Sequence, residues 1–171
     1  VDRHLPEVEC GYITTDNYRG ARQAVLHLVD QGYRQIACLA GLEALCFEVE
    51  ERVRGYVDVL HECSLVYQQI YGEHRLDQFR NHIHYGYLST VRMLQANGRK
   101  PDAINDEMAL GSLRACMEAG LNVPGDIGII GFDNLVLDAY LPVSLSSVQQ
   151  PKFEMGSEAV KWLVGDGATE D

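Results

Sequence analysis

A carboxylate at the end of an apolar strand is the clearest candidate for chemistry in this sequence. Residues 124–134 read PGDIGIIGFDN, and the apolar run stops at Phe132 and Asp133. In parallel α/β sheets, ligands bind outside the carboxyl ends of the strands, where Asp133 would project. We therefore interpret Asp133 as a carboxylate that accepts hydrogen bonds from a ligand. The alternative is that Asp133 caps the turn or helix that follows the strand.

Sequence motifs of catalysis and metal binding are missing. The sequence has no G-x-S-x-G elbow, P-loop, G-x-G-x-x-G or H-E-x-x-H, which favours a binding protein over an enzyme and predicts no catalytic residues. His82, His84 and Asp77 could form a metal site on paper. Exposed loop histidines are the simpler interpretation, so we predict neither a metal nor a cofactor.

Composition limits the classes of protein to consider. The 171 residues are 46% hydrophobic, enough for the core of one domain or slightly more. Fourteen basic residues against 25 acidic ones give a net charge of -11, and the basic residues are scattered. Such a chain repels phosphate backbones, so any DNA binding must come from another segment. The sequence starts at Val1 without a Met, and we expect further residues upstream.

The five cysteines indicate a reducing environment. Their number is odd and no C-x-x-C pair occurs, which argues against a disulfide framework or a structural zinc site. No apolar run approaches the roughly 20 residues that span a bilayer, and no signal-peptide pattern opens the sequence. We therefore predict a cytoplasmic protein without a membrane partner.

Strands and helices are predicted to alternate along the chain. Strands are expected at 7–15, 35–41, 66–71, 101–104, 124–134 and 145–148. Helices are expected from an N-cap at Asp16 and Asn17 to Gly32, around 53–60, and at 85–96, 106–119 and 153–164, with a loop or short helix at 135–140. This alternation predicts an α/β fold in which helices cover both faces of a parallel, Rossmann-like sheet.

The order of several sequence blocks resembles the effector-binding part of the LacI/GalR family of bacterial transcription regulators. Seven blocks occur in family order over nearly the whole chain: VDR (1–3), TDNYRGARQAVLHLVDQGYRQIACLAG (15–41), ERVRGY (51–56), GY (86–87), PDAI with NDEMALG (101–111), EAGLNVPGDIGIIGFDN (118–134) and SVQQPKFEMGSEAV (147–160). The resemblance implies a type I periplasmic-binding-protein-like fold, in which two α/β lobes enclose a ligand cleft.

Mapped onto this sequence, the family fold implies three segments. Residues 1–15 would end the N-terminal lobe, 16–148 would form a nearly complete C-terminal lobe, and 149–171 would return into the N-terminal lobe. Two departures stand out. The family's helix-turn-helix and the first βα units of the N-terminal lobe are absent from the sequence, and Ile104 adjoins Asn105 where the family has a few more residues. We expect residues to be missing at both places.

The resemblance implies ligand contacts at Arg52, Asn105 and Asp133. Their chemistry agrees, because a guanidinium donates, a carboxylate accepts and an amide does both, which suits the adjacent hydroxyls of a polyol or nucleoside. Other roles stay open. Arg52 could pair with Glu48 on its own helix, Asn105 could cap the helix that starts at 106, and Asp133 could cap a turn.

Two weaker ligand candidates follow from the same resemblance. Gln150 falls at the second crossing between the lobes. The family usually places an aromatic ligand contact ahead of Gly86, where this sequence offers Phe79, Asn81 or His82, and we include Asn81 among the predicted ligand residues.

The resemblance implies the effector-sensing and dimerisation core of a transcription regulator. A small sugar-like ligand would control DNA binding by the helix-turn-helix that is absent here, and the partners would be that ligand, a second copy of the chain and, through the missing domain, DNA. Alternatives are a stand-alone periplasmic-type sugar-binding protein and a small flavodoxin-like enzyme that uses Asp133 as base or nucleophile. We also expect the last helix, with Trp162, to face a lobe that is mostly absent.

Overall fold

Helices and strands alternate through the computed structural model, which describes residues 1–2, 10–40, 46–66, 69–71, 81–97, 101–103 and 105–165. Their order is α1 (Asn17–Asp30), β1 (Ala37–Ala40), α2 (Phe47–Glu62), β2 (Gln69–Tyr71), α3 (His82–Asn97), β3 (Pro101–Ala103), α4 (Asp106–Glu118), β4 (Ile130–Asp133), a 3₁₀-helix (Val136–Tyr140), β5 (Ser146–Gln149) and α5 (Lys152–Val164).

The strands pair in parallel, which confirms the predicted fold class. Three strands form a sheet in the order β2-β1-β3, with Cys38 opposite Gln69 on one side and Asp102 on the other. β4 pairs with β5, and Phe132 lies opposite Val148. β3 contacts β4, so the two sets of paired strands lie next to each other.

Two predicted strands differ in the structure. Residues 10–15 belong to neither a helix nor a strand, and residues 7–9 of the predicted strand at 7–15 lie outside the described residues. β-favouring residues do not form a strand without a hydrogen-bonded neighbour, and none of the described strands pairs with 10–15. The strand predicted from 124 is paired only from Ile130 onward, although Ile127 and Ile129 ahead of it are already buried.

Polar side chains define where the helices begin. Asp16 accepts a hydrogen bond from the backbone N of Arg19 at 2.9 Å and starts α1. α3 begins at 82 rather than at the predicted 85, because Asn81 Oδ1 accepts from the backbone N of His84. The segment predicted as a loop or short helix at 135–140 is a 3₁₀-helix.

Helix pairs pack on the strands and form the core. α1 packs on α2, and α3 on α4. The α3–α4 contact is backbone to backbone, since a Cβ at Gly86 would overlap the carbonyl oxygen of Met108 and a Cβ at Gly111 that of Ile83. All four residues of β1 are buried, and α2 packs on this strand.

The last helix, α5, exposes more large apolar side chains than any other described helix. Of its predicted inward residues, Met155 is buried, whereas Val160 and Leu163 are exposed. Phe153 and Trp162 are exposed as well, and Trp162 contacts Gly11. Across the described residues, no helix combines the length and hydropathy that a membrane crossing requires.

Candidate binding site at the carboxyl edge

Asp133 ends β4 in an uncommon backbone conformation. Its φ is 132° and that of Asn134 is 50°, both in the region that favours glycine. Such conformations concentrate at functional sites. The backbone N of Leu135, just ahead of the 3₁₀-helix, donates to Asp106 and Asp138. The capping interactions of this turn thus come from carboxylates other than Asp133.

A buried amide holds the Asp133 carboxylate. Gln150 Nε2 donates to Asp133 Oδ1, and Gln150 Oε1 accepts from the Thr15 hydroxyl at 2.9 Å. Burial raises the pKa of Asp133 above its ordinary value, while the Gln150 hydrogen bond and the charge of Arg52 oppose that rise. Gln150, predicted only as a weaker candidate, is therefore in direct contact with Asp133.

The guanidinium of Arg52 is fixed from two directions. It stacks over the Phe132 ring, 3.8 Å from the ring centroid, and Arg52 Nε donates to Asn17 Oδ1 at 2.7 Å. Burial lowers the pKa of Arg52, and the carboxylate of Asp133 is the strongest charge opposing that change. The charge of Glu48, the alternative partner on the same helix, opposes the change less than that of Asp133.

Asn105 and Asn81 lie in a second group, around the N-termini of α4 and α3. Asn105 Oδ1 accepts from the backbone N of Met108 at 2.8 Å, and its Nδ2 lies 3.1 Å from His82 Nδ1. The helix cap considered for Asn105 is thus present, and its oxygen serves that role. Asn81 is exposed and caps α3.

The histidines differ from the sequence prediction. His82 and His84 are half-buried on the first turn of α3 and are not exposed loop residues; His84 stacks on Tyr87. Asp77 and Phe79 lie outside the described residues. Within the part of the chain that the structure describes, no group of three His, Cys, Asp or Glu is placed to hold a metal ion.

Behind Asp133 lies a buried carboxylate pair that sequence reasoning missed. Asp106 is fully buried; its Oδ1 accepts from Ser147 Oγ at 2.6 Å and its Oδ2 from the backbone N of Leu135 at 2.9 Å. Asp138 accepts from the same N–H at 2.8 Å. Burial, with the hydrogen bond and charge of Asp106, raises the pKa of Asp138 to about 6. The only sequence signal for the pair was the acid that follows Asn105.

Asn17 and Thr15 were also missed as parts of the site. The sequence assigned Asn17 to the start of a helix and Thr15 to the end of a strand. Their spacing along the chain does not relate them to Arg52 or Gln150. The resulting edge combines a carboxylate, a guanidinium and an amide within one hydrogen-bonded assembly. Such a set can accept from and donate to adjacent hydroxyls of one small ligand.

Comparison with known proteins reveals related sequences and structures. Residues 25–167 match the family described as a periplasmic binding protein-like domain. The chain is 34% identical over 167 residues to the HTH-type transcriptional repressor CytR of Escherichia coli (strain K12), covering 93% of this chain and 46% of that protein. It thus spans about half the length of such relatives, which regulate transcription and are not enzymes.

Two crystal structures are similar in fold as well as sequence. A regulatory protein of the LacI family from Chloroflexus aggregans superposes with a TM-score of 0.82 at 31% identity, covering 96% of this chain and 58% of the other. A LacI family transcriptional regulator from Enterococcus faecium, with bound ribose, gives a TM-score of 0.76 at 29% identity, with coverages of 88% and 55%.

Proposed function

Because this chain belongs to the periplasmic binding protein-like domain family and is homologous to the effector-binding domain of LacI-family transcription regulators, we propose that it senses a small sugar-like effector. One observation carries the proposal: Asp133 is held by Gln150 at the end of β4, and its charge acts on the stacked guanidinium of Arg52. Opposite charges at one sheet edge suit a neutral ligand with several hydroxyls.

Asn105 and Asn81 extend the proposed site along the edge. Asn105 follows β3, which contacts β4, and its Nδ2 remains directed toward the His82 ring while its oxygen caps α4. A ligand that spans both groups would use Asp133 and Arg52 for one set of hydroxyls. Asn105, with Asn81 at the rim, would serve another.

The proposed organisation divides the chain between two lobes. Residues 1–15 and 149–171 would belong to an N-terminal lobe, and 16–148 would form the C-terminal lobe. The exposed apolar side chains of α5 support this division, because a soluble domain rarely leaves such a helix uncovered. The ligand would favour one arrangement of the lobes, and its effect on DNA binding would equal its differential affinity for the two arrangements, typically about 1–3 kcal/mol.

The proposed partners are a second copy of the chain and DNA. Val136, Leu137 and Tyr140 of the 3₁₀-helix are exposed and offer an apolar surface for dimerisation. DNA would be bound through a helix-turn-helix outside this sequence, since the net charge of -11 makes this chain unsuited to that role. A regulator of this kind would act in the cytoplasm.

Calorimetry tests the proposed ligand site. Full-length protein is titrated with ribose and a panel of hexoses and nucleosides. Asp133→Ala is expected to weaken binding of a ligand by about 100-fold, because a half-buried charged acceptor is lost. Asp30→Ala, at the exposed far end of α1, is the matched control and should bind normally. Equal affinity in wild type and Asp133→Ala would contradict the assignment.

A further inference from the structure

The two charged residues of the proposed site are connected behind the ligand edge by a series of hydrogen bonds. Arg52 Nε donates to Asn17 Oδ1 at 2.7 Å, and Asn17 Nδ2 donates to the carbonyl oxygen of Thr15 at 2.9 Å. The Thr15 hydroxyl donates to Gln150 Oε1, and Gln150 Nε2 donates to Asp133. Arg52 and Asp133 are thus linked through three uncharged residues.

Asn17 is the buried member that contacts Arg52. Only 3% of its surface is exposed. Both polar atoms of its amide form hydrogen bonds: Oδ1 accepts from Arg52, and Nδ2 donates to Thr15 and lies 3.3 Å from Thr14 Oγ1. Asn17 is the first residue of α1, so the helix fixes its backbone, and Gly20 on the next turn lies against the Phe132 ring. Asn17 and the ring on which Arg52 stacks therefore belong to one packed unit.

The Phe132 and Asn17 contacts of Arg52 constrain different motions. Stacking on Phe132 fixes the plane of the guanidinium but leaves it able to rotate within that plane. The hydrogen bond from Nε to Asn17 removes that rotation. Together they fix the direction in which the Nη groups point, which is what recognition of two hydroxyls by a planar donor requires.

We propose that Asn17 is a positioning residue, which orients the Arg52 guanidinium for the ligand and joins it to residues 14–15. This inference deepens the proposed function and rests on it for the identity of the ligand site. Asn17 acts through Arg52. Loss of Asn17 therefore makes the Arg52 side chain more mobile even when no ligand is bound. The segment it reaches, 14–15, leads directly into the proposed crossing between lobes.

The test measures the side-chain Nε–H of Arg52 by NMR in full-length protein labelled with ¹⁵N-arginine, with the resonance assigned by its loss in Arg52→Lys. Hydrogen exchange of this group should be about tenfold faster in Asn17→Ala than in wild type, as expected for loss of one hydrogen bond to a charged group. Asp30→Ala, at the exposed far end of α1, leaves Asn17 and its helix cap intact and should leave the exchange rate unchanged.

Asn17→Asp keeps the test decisive if Asn17→Ala does not fold. The acceptor becomes a carboxylate, so the Arg52 Nε–H resonance should shift downfield and exchange no faster than in wild type. Unchanged exchange in Asn17→Ala, or an unshifted resonance in Asn17→Asp, would overturn the proposal.

Ribose titrations of the same variants separate this proposal from the proposed function. If ribose binds wild type, Asn17→Ala should bind it about tenfold more weakly, whereas equal affinity overturns the positioning role. If ribose and the sugar panel leave wild type unaffected while the exchange rates change as expected, the positioning of Arg52 stands and the proposed sugar-binding function fails.

Discussion

Replacing Asp138 by asparagine should stabilise the protein at neutral pH. Asp138 is 3% exposed and shares the Leu135 N–H with the buried Asp106, so one donor serves two carboxylates. The pKa of Asp138 is raised from 3.8 to about 6, chiefly by burial. The folded state therefore holds the proton more tightly than the unfolded state does. As a result, the free energy of unfolding falls as pH rises from the ordinary pKa of Asp138 to its raised pKa.

The magnitude follows from the size of the pKa difference. About two pKa units at about 1.4 kcal/mol each correspond to a loss of about 3 kcal/mol, fully reached above pH 6 or so. An asparagine at this position would have no proton to lose, and its amide would donate toward Asp106 at every pH. The Asp138→Asn variant should thus exceed wild type by up to about 3 kcal/mol at pH 7.5 and by little at pH 4.

Urea unfolding followed by circular dichroism from pH 4 to 7.5 measures the effect. The slope of unfolding free energy against pH should be smaller in Asp138→Asn than in wild type between pH 4 and 6. Asp30→Asn changes an exposed carboxylate and should retain the wild-type slope. Identical slopes in wild type and Asp138→Asn, or a less stable variant at pH 7.5, would refute the reasoning.

Four further substitutions probe packing, the site and assembly. Gly111→Ala places a methyl group against a carbonyl of α3 and should lower the free energy of unfolding by about 2–3 kcal/mol. Gly156→Ala, where nothing lies within 4 Å of the added methyl group, should raise the free energy of unfolding by about 0.5–1 kcal/mol in the same urea titration. Arg52→Lys lacks the planar group that stacks and donates to Asn17, so sugar affinity by calorimetry should fall about tenfold or more; unchanged affinity would remove Arg52 from the site. Tyr140→Asp should shift a dimer toward monomer in sedimentation equilibrium, and an unaltered dimer would place the interface elsewhere.

Local sequence patterns were sufficient for most of the fold. Apolar periodicity, the caps at Asp16 and Asn105 and the glycines after the helices located α1, α4 and the strands between them, because these signals act over a few residues. The same reasoning assigned a strand to residues 7–15, and over its described part, 10–15, the structure has none. Pairing depends on a neighbouring strand, which a local pattern does not contain.

The sequence by itself determined that Asp133 ends a buried strand and that Arg52 and Asn105 fall in blocks similar to those of a known family. Only the tertiary structure decided which groups contact the charged residues. Asn17 and Phe132 contact Arg52, and Gln150 contacts Asp133. Asp106 lies beside Asp138, which the sequence did not indicate. Asn17 meets Arg52 and Asp133 meets Gln150 because α1, α2, β4 and β5 pack together. Strand alternation and helix caps follow from neighbours along the chain, whereas these contacts follow from packing between elements far apart in sequence.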